Sequence, residues 1–174
     1  MGLIVRSSAI HAAGCYTTTR IRKGARVAEY TGRRISKEEA DALYEDSLVT
    51  YLFGLGDGEI VIDGHCVTMF INHSCEANCE TSEVDDRVFV TAIKTIPAGA
   101  EITFDYCLYD GGDDEATCNC GAKTCRGSMY SPDELRKRKA AARKAALKAK
   151  KKAARKKKSQ RKPAKKKSPR SKTK

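Results

Sequence analysis

The chain of 174 residues has a formal net charge of +12, but the charge is divided sharply along the sequence. Residues 1–135 hold 12 Lys/Arg against 22 Asp/Glu, a net charge of −10, whereas residues 136–174 hold 22 Lys/Arg and no acid. No apolar run approaches the length of about 18 residues that a membrane span needs, and no signal peptide opens the chain, so we expect an intracellular protein without membrane contact.

The first 130 residues have the pattern of a mainly β domain with one or two small helices. Frequent β-branched residues, glycine-bounded runs and period-2 alternation mark the strands. We predict short strands within 3–35, among them one at 27–30. Further strands are predicted at 59–63, 87–93 and 101–104.

One short helix is predicted between the early strands and the rest of the domain. Ser36 opens a capping box that Glu39 completes. Apolar residues then recur at helical spacing: Ala40, Leu43, Tyr44 and Leu48. We therefore expect an amphipathic helix over 37–47 that packs on the strands.

The segment from Phe70 to Cys79 concentrates polar chemistry between apolar anchors. Asn72, His73, Ser74 and Cys75 follow Phe70 and Ile71 directly. Polar side chains that are drawn towards a core must find partners there. Taken alone, this pattern fits a tight internal turn as well as a ligand site.

Three cysteines form a compact Cys118-x-Cys120-x4-Cys125 motif, with Gly121 able to bend the backbone. Because no export signal is present, metal-bound or free thiols are expected rather than disulfides. Three thiolates suit tetrahedral zinc but leave it one ligand short, and Cys75 is the candidate for the fourth. The alternative is a set of free thiols in an exposed loop.

The basic C-terminal tail begins with a second capping box at Ser131, with Pro132 at its first helical position. Lys, Arg and Ala form helices well, but like charges four residues apart repel. We expect 133–158 to be partly helical, and more so on a polyanion, and disorder from Ser159. A solubilising role stays open. Nucleic-acid binding by 136–174 is favoured, through phosphates and without sequence specificity, because the tail lacks aromatic residues.

Three of these stretches together resemble the SET-domain protein lysine methyltransferases, over about residues 3–129. They are Phe70-Ile71-Asn72-His73-Ser74-Cys75-x-Ala77-Asn78, Glu101-Ile102-Thr103-Phe104-Asp105-Tyr106 and Cys118-x-Cys120-x4-Cys125. The resemblance implies small curled β-sheets with a knot-like core, in which the segment ending at Tyr106 passes through the Asn72–Cys75 loop. It also implies a SET domain at 1–110, a post-SET zinc segment at 111–130 and a basic tail at 131–174.

The resemblance also implies the roles of individual residues. It assigns S-adenosylmethionine binding to Gly14, Cys15, Tyr16, Asn72, His73 and Tyr106. Methyl transfer falls to Tyr106, with Tyr51 and Phe104 in the channel wall, and Phe104 stands where Phe favours more than one methyl addition. Zinc falls to Cys75, Cys118, Cys120 and Cys125. The chain departs from the family pattern at Ala12, where the cofactor loop normally has a second glycine.

The sequence therefore predicts a monomeric protein-lysine N-methyltransferase whose acidic domain attracts a basic histone or histone-like substrate. The expected location is a bacterial cytoplasm or nucleoid, or a nucleus. An alternative is a non-catalytic, nucleic-acid-binding architectural protein with a degenerate zinc-stabilised SET module. A third possibility is an effector that is delivered into the nucleus of another cell.

Overall fold

The computed structural model describes residues 2–47, 49–109 and 116–160, and only the backbone of 155–160. The chain divides into two compact units, Met1–Ser131, termed the body, and Pro132–Lys174. The predicted boundary between residues 110 and 111 lies outside the described residues.

Ten short strands supply most of the regular structure described in the body, so the predicted mainly β class is confirmed. They are β1 (Leu3–Ser7), β2 (Ala13–Thr17), β3 (Arg26–Tyr30), β4 (Gly32–Ser36), β5 (Leu52–Leu55), β6 (Ile60–Gly64), β7 (Asn72–His73), β8 (Cys79–Val84), β9 (Arg87–Ala92) and β10 (Thr103–Phe104).

Most of the strand predictions agree with the structure to within one residue at either end. The strand predicted at 101–104 is shorter, because Glu101 forms only an isolated bridge with Tyr16 before β10 begins. β8 was not predicted, since most of its residues are polar or charged and it has no alternating apolar face.

The strands form three sheets. β1 and β2 make a hairpin, and β4, β6 and β5 make an antiparallel sheet in that order. The third sheet has the order β3-β9-β8-β10-β7, in which β10 is parallel to both of its neighbours. The largest apolar cluster packs around this sheet and includes Ile71, Cys79, Ile102 and Phe104.

β10 enters the sheet between two strands that precede it in the chain. Thr103 pairs with Asn72, and Phe104 pairs with both His73 and Cys79. Adjacent strands lie about 4.8 Å apart, so the connection over residues 74–78 must cross β10 to join β7 to β8. The strand order thus places β10 between the two strands that this connection joins, which is compatible with the knot-like core that the resemblance implies.

The side-chain amide of Asn78 fastens the crossing segment to the inserted chain. Its Nδ2 donates to the carbonyl oxygen of Glu101 at 2.7 Å, and its Oδ1 accepts from the backbone N–H of Thr103 at 2.9 Å. One side chain thus satisfies two backbone groups beside β10, which explains why an amide suits this position.

The predicted short helix is present as α1 (Lys37–Tyr44), capped by Ser36 Oγ, which accepts from the backbone N–H of Glu39 at 3.1 Å. It ends three residues before the predicted 47, because Glu45 and Asp46 place negative charge at a helix C-terminus. The predicted apolar face is also narrower, since Ala40 is buried but Leu43 is 57% exposed. Leu48 lies outside the described residues.

The tail forms α2 (Pro132–Gln160), which begins one residue before the predicted 133 and extends two residues past 158. The disorder predicted from Ser159 is therefore wrong for residues 159–160, where the backbone continues the helix of the preceding Lys- and Ala-rich segment. For 161–174 the prediction lies outside the described residues. Within the described part of the chain, no helix is long and apolar enough to span a bilayer.

Candidate functional site

Tyr106 lies two residues after β10, and both of its polar groups are held by the strand that β10 pairs with. Its hydroxyl donates to the carbonyl oxygen of Ile71 at 2.8 Å, and its backbone N–H donates to His73 Nδ1 at 3.1 Å. Burial raises the pKa of Tyr106 to about 12. At neutral pH the side chain is therefore a fixed, uncharged hydrogen-bond donor and not a base.

Two groups of aromatic rings, one of which includes Tyr106, form what we term the aromatic wall: Phe53, Phe104 and Tyr106 in one group and Tyr51 and Phe70 in the other. The ring centroids of Phe104 and Tyr106 are 5.0 Å apart, those of Phe53 and Phe104 are 6.2 Å apart, and those of Tyr51 and Phe70 are 5.9 Å apart. Of the three predicted catalytic aromatics, Phe104 and Tyr106 are in direct ring contact, whereas Tyr51 contacts Phe70, which packs against the same apolar cluster as Tyr106.

Both nitrogens of the His73 imidazole contact other groups of the protein. Because a backbone N–H can only donate, the contact from Tyr106 makes Nδ1 an acceptor and leaves the proton on Nε2. Nε2 lies 3.4 Å from Cys75 Sγ, to which it can donate. Burial lowers the pKa of His73, although Asp105 opposes this effect, so the neutral form is favoured. Any ligand contact of this residue must therefore come from its main chain.

Asn72 belongs to a buried polar network centred on the carboxylate of Glu101. Asn72 Nδ2 contacts Glu101 Oε1 at 2.8 Å, the Ala13 carbonyl oxygen at 2.9 Å and Ser8 Oγ at 3.2 Å. Ser8 Oγ in turn donates to Glu101 Oε1 at 2.8 Å. The network joins the segment before β2 to β7, so the two predicted cofactor-binding segments are adjacent.

The three predicted residues of the cofactor loop differ in what they can offer. A Cβ on Gly14 would lie 2.3 Å from Glu101 Oε1, so this glycine makes room for the carboxylate. The Cys15 side chain is fully buried in the core, which leaves only its main chain for a ligand. The Tyr16 hydroxyl donates to Glu101 Oε2 at 3.0 Å, at the edge of the same network.

The four predicted metal ligands come together in one cluster, which we term the four-cysteine cluster: Cys75, Cys118, Cys120 and Cys125. The Sγ–Sγ separations are 3.8 Å for Cys75–Cys118, 4.0 Å for Cys75–Cys125 and 3.6 Å for Cys118–Cys125. A tetrahedron with Zn–S bonds of about 2.3 Å has edges of about 3.8 Å. The cluster therefore fits zinc in both chemistry and size.

Backbone N–H groups lie beside the sulfurs, although burial raises the pKa of Cys75 and of Cys118. The N–H of Arg126 lies 3.4 Å from Cys75 Sγ, and that of Gly127 lies 3.4 Å from Cys125 Sγ. Although burial opposes ionisation, such donors lower the pKa of Cys120. These contacts are typical of the outer shell that orients metal ligands.

Arg126 and Glu76 connect the four-cysteine cluster to the rest of the body. Arg126 Nη2 donates to Asp105 Oδ1 at 2.8 Å, directly beside Tyr106. Glu76 Oε1 accepts from the backbone N–H of Thr124 at 2.9 Å and from its hydroxyl at 2.6 Å. The metal segment is thereby fixed to the two loops that carry Cys75 and Tyr106.

An open groove of about 780 Å³ begins beside Tyr106 and follows β8. Its lining includes carboxylates of three residues and one ammonium group: Glu76, Glu80, Asp105 and Lys94. The excess of carboxylates makes the groove suited to a basic chain segment.

Several residues of the site were missed by sequence reasoning. Glu101 stood within a recognised motif but was assigned only to a strand, and Arg126 directly follows a metal ligand without a signal of its own. Ser8 and Phe53 have no local pattern that marks them. Because side chains alternate along a strand, Glu101 and Thr103 lie on one face of the predicted strand. This shared face is the one sequence signal that could have marked the Glu101 carboxylate as part of the site.

Comparison with known proteins identifies the relatives of this chain. The SET domain family matches residues 12–107. Histone-lysine N-methyltransferase trithorax of Drosophila virilis is 36% identical over 130 residues, covering 68% of this chain and 3% of that protein. The histone-lysine N-methyltransferase of Homo sapiens described as H3 lysine-36 specific is 35% identical, covering 67% of this chain and 5% of its own length.

A shorter relative has a similar identity to this chain and covers a similar share of it. Histone-lysine N-methyltransferase SUV39H2 of Bos taurus is 34% identical over 146 residues, covering 67% of this chain and 36% of that protein. The chain therefore spans only a minor part of the length of these relatives.

Proposed function

Because the chain belongs to the SET-domain family, we propose that it is an S-adenosylmethionine-dependent protein-lysine N-methyltransferase. The observation that carries this proposal is the placement of Tyr106, an uncharged, half-buried phenol held by Ile71 and His73 beside Phe104. A rigid apolar site of this kind suits a reaction that depends on the alignment of two reactants.

The aromatic wall accounts for how a lysine side chain could react at neutral pH. The amine must be neutral to attack, and with a pKa of about 10.4 its deprotonation at pH 7 costs about 4.6 kcal/mol. Apolar surroundings disfavour the ammonium form and reduce this cost. Tyr51, Phe104 and Tyr106 would enclose the amine and direct it, so no side chain has to act as a strong base.

S-adenosylmethionine, when bound, supplies an electrophilic methyl group on a sulfonium. The residues present fit such a cation-bearing cofactor, because the Asn72 side chain is buried and its Nδ2 is committed to Glu101, Ser8 and Ala13. Its Oδ1 is the acceptor left to meet an ammonium group. Gly14, Cys15 and His73 would contribute main-chain atoms, and Tyr16 and Tyr106 their side chains.

Zinc would be held by Cys75, Cys118, Cys120 and Cys125 and would have a structural role. Four protein thiolates fill a tetrahedral site and leave no open position for a reacting molecule. Its effect on the reaction would be indirect, since Cys75 contacts His73, and His73 accepts from the backbone of Tyr106.

We further propose a basic histone or histone-like substrate. The body has an excess of acidic residues, and the charged side chains that line the groove beside Tyr106 are mostly carboxylates. In α2 every side chain from Lys139 to Ala154 is exposed, which suits contact with nucleic-acid phosphates. Such a protein would act as a monomer where nucleic acid and basic proteins meet, in a nucleoid or in chromatin.

The proposal is tested by incubating the full chain with radiolabelled S-adenosylmethionine and histones. We expect label on lysine, and a rate lowered roughly 100-fold by Tyr106→Phe, which removes the hydroxyl that fixes the ring. Tyr44→Phe is the matched control, because that phenol donates to Asp63 on β6, which is not among the groups that hold Tyr106. Its rate should equal that of the wild type.

The non-catalytic alternative is favoured by α2, whose exposed Lys and Arg residues would bind nucleic acid without any reaction. Zinc-loaded protein that binds duplex DNA, fails to bind the cofactor in calorimetry and labels no lysine would establish this alternative. Duplex binding that weakens steeply with salt is expected in either case.

A further inference from the structure

We propose that Arg126 is a positioning residue for the reaction, which holds Tyr106 in place by pairing with Asp105. Arg126 belongs to residues 118–131, termed the metal segment, which carry three of the four predicted zinc ligands. The inference rests on the proposed function and goes beyond it. It makes the alignment of Tyr106 depend on how the metal segment docks on the body.

The Asp105 carboxylate holds the main chain directly after Tyr106. Its Oδ1 accepts from the backbone N–H of Cys107 at 3.2 Å. Cys107 has a φ of 49°, in the left-handed region that residues other than glycine seldom adopt. Such a conformation persists only where neighbouring contacts hold it. Because Cys107 follows Tyr106 directly, the contact with Asp105 helps to fix the main chain at the tyrosine.

Arg126 holds this carboxylate from the metal segment. Its Nη2 donates to Asp105 Oδ1 at 2.8 Å and to the Tyr130 carbonyl oxygen at 3.5 Å. The side chains of Arg126 and Asp105 are 21% and 29% exposed, so water screens the pair only in part. Although burial opposes the effect, Arg126 lowers the pKa of Asp105, so the carboxylate is charged at neutral pH. In the part of the chain that the structure describes, the buried Arg126 Nε has no partner, and the Nη2 contacts have to offset that cost.

The charge of Arg126 also bears on His73, the other group that holds the main chain of Tyr106. His73 Nδ1 accepts from the backbone N–H of Tyr106 at 3.1 Å, and Asp105 Oδ1 lies 3.5 Å from the same nitrogen. Two acceptors at this distance repel each other, and a guanidinium paired with the carboxylate reduces the repulsion. Without Arg126, Asp105 should therefore move away from His73 and lose its contact with Cys107.

The chain that leaves this turn pairs at once with the metal segment. The backbone N–H of Leu108 donates to the Met129 carbonyl oxygen at 3.1 Å. The backbone N–H of Ser131 donates to the Leu108 carbonyl oxygen at 2.9 Å. The metal segment therefore lies directly beside the turn after Tyr106, and a side chain from it can fix that turn.

The two connections that Arg126 makes can be separated by mutation. Its side chain reaches Asp105, whereas its backbone N–H lies 3.4 Å from Cys75 Sγ in the four-cysteine cluster. Arg126→Met deletes the charge and keeps the backbone donor. We expect this variant to keep its zinc and to lower kcat for lysine methylation about tenfold, with KM for S-adenosylmethionine changed less than about twofold. Arg126→Lys keeps the charge without the planar fork and should restore part of kcat.

Asp105→Asn tests whether Arg126 acts through this carboxylate. The double variant Asp105→Asn/Arg126→Met should lose no more of kcat than the more impaired single variant, because both changes break the same contact. Arg87→Met is the matched control, since it removes an ion pair with Glu29 on β3. It should keep the zinc content and kcat of the wild type. Losses of kcat that multiply in the double variant would overturn the inference.

Amide hydrogen exchange of the zinc-loaded full chain, followed by NMR, tests the inference without turnover. In Arg126→Met the N–H groups of Tyr106 and Cys107 should exchange at least about tenfold faster than in the wild type. That of Thr103, which Asn78 holds, should not change. Unchanged exchange at Tyr106 and Cys107 would overturn the inference, as would loss of zinc from Arg126→Met. If the wild type labels no lysine, the proposed function fails, whereas exchange still decides whether Arg126 holds Tyr106.

Discussion

The body and α2 reach their structures by opposite routes. In the body, residues far apart in sequence hold each other: Thr103 pairs with Asn72, and Cys75 meets Cys118. In α2, backbone bonds are local, and every side chain from Lys139 to Ala154 is exposed. The body should therefore lose its structure in one cooperative step, whereas the helix should respond gradually to its surroundings.

The charges of α2 strengthen this contrast. At its N-terminal end, Asp133 pairs with Arg136, and Glu134 pairs with Arg138 at 3.0 Å. Beyond Glu134 the sequence has no acid, and like charges face each other four residues apart, as at Lys144 and Lys148. The first turns are internally neutralised, and the remainder is stabilised only when anions from outside reduce the repulsion.

Removing zinc should produce the largest difference between the responses of the body and of α2. Structural zinc sites contribute on the order of 10 kcal/mol, so Cys118→Ser should remove bound metal and release the segment around Cys120 and Cys125. Metal analysis should give no zinc, and hydrogen exchange should show lost protection near the four-cysteine cluster. Exchange of α2 should not change.

The matched control is Cys107→Ser, since Cys107 is an exposed thiol outside the four-cysteine cluster. It should keep its zinc and its protection pattern. Loss of α2 protection in Cys118→Ser alone would contradict the independence of the two units.

Asn78 provides the next largest expected effect. Asn78→Ala would leave the carbonyl of Glu101 and the N–H of Thr103 without their hydrogen-bond partner beside β10. Each unsatisfied group costs about 1–3 kcal/mol, so we expect the free energy of unfolding of the body to fall by roughly 2–4 kcal/mol. Denaturant titration measures this change. Glu80→Ala, at an exposed position on neighbouring β8, should change it by less than about 0.5 kcal/mol, and an equal loss in both variants would refute the role of Asn78.

The position of Asn78 also illustrates what sequence patterns can and cannot predict. The strands around it followed from alternation, and counting the thiolates that zinc needs indicated a fourth ligand. Cys75 was the candidate for it, and the resemblance implied the same residue. The crossing of residues 74–78 over β10 did not follow from any local pattern, since threaded connections are rare and periodicity carries no information on strand order. Only the resemblance implied it.

The residues of the site also divide into those that a sequence motif marked and those that only the tertiary structure reveals. Tyr106, Phe104 and Tyr51 were named from the family resemblance, and the rings of Phe104 and Tyr106 do contact each other. Glu101 and Arg126 act through contacts with residues at least 20 positions away. Such contacts depend on the tertiary arrangement, so neither propensity nor spacing could reveal them.

Two substitutions that each remove a single carbon atom test most sharply how the body and α2 differ. Ile102→Val removes one methylene from a fully buried side chain and should lower the free energy of unfolding of the body by about 0.5–1.5 kcal/mol. Ala146→Gly should cost α2 about 1 kcal/mol of local helix stability because glycine loses more backbone entropy.

The readouts of these two variants should not overlap. Because long-range packing links Ile102 to the whole core, its loss should shift the denaturant midpoint of the body and leave the helical signal of α2 unchanged. Ala146 is exposed and has only local backbone bonds, so Ala146→Gly should reduce ellipticity at low salt and leave the midpoint of the body where it was. Addition of duplex DNA should recover part of that ellipticity, since phosphates reduce the repulsion between the lysines that flank the substitution. A midpoint that moved with Ala146→Gly would mean that α2 and the body unfold as one unit.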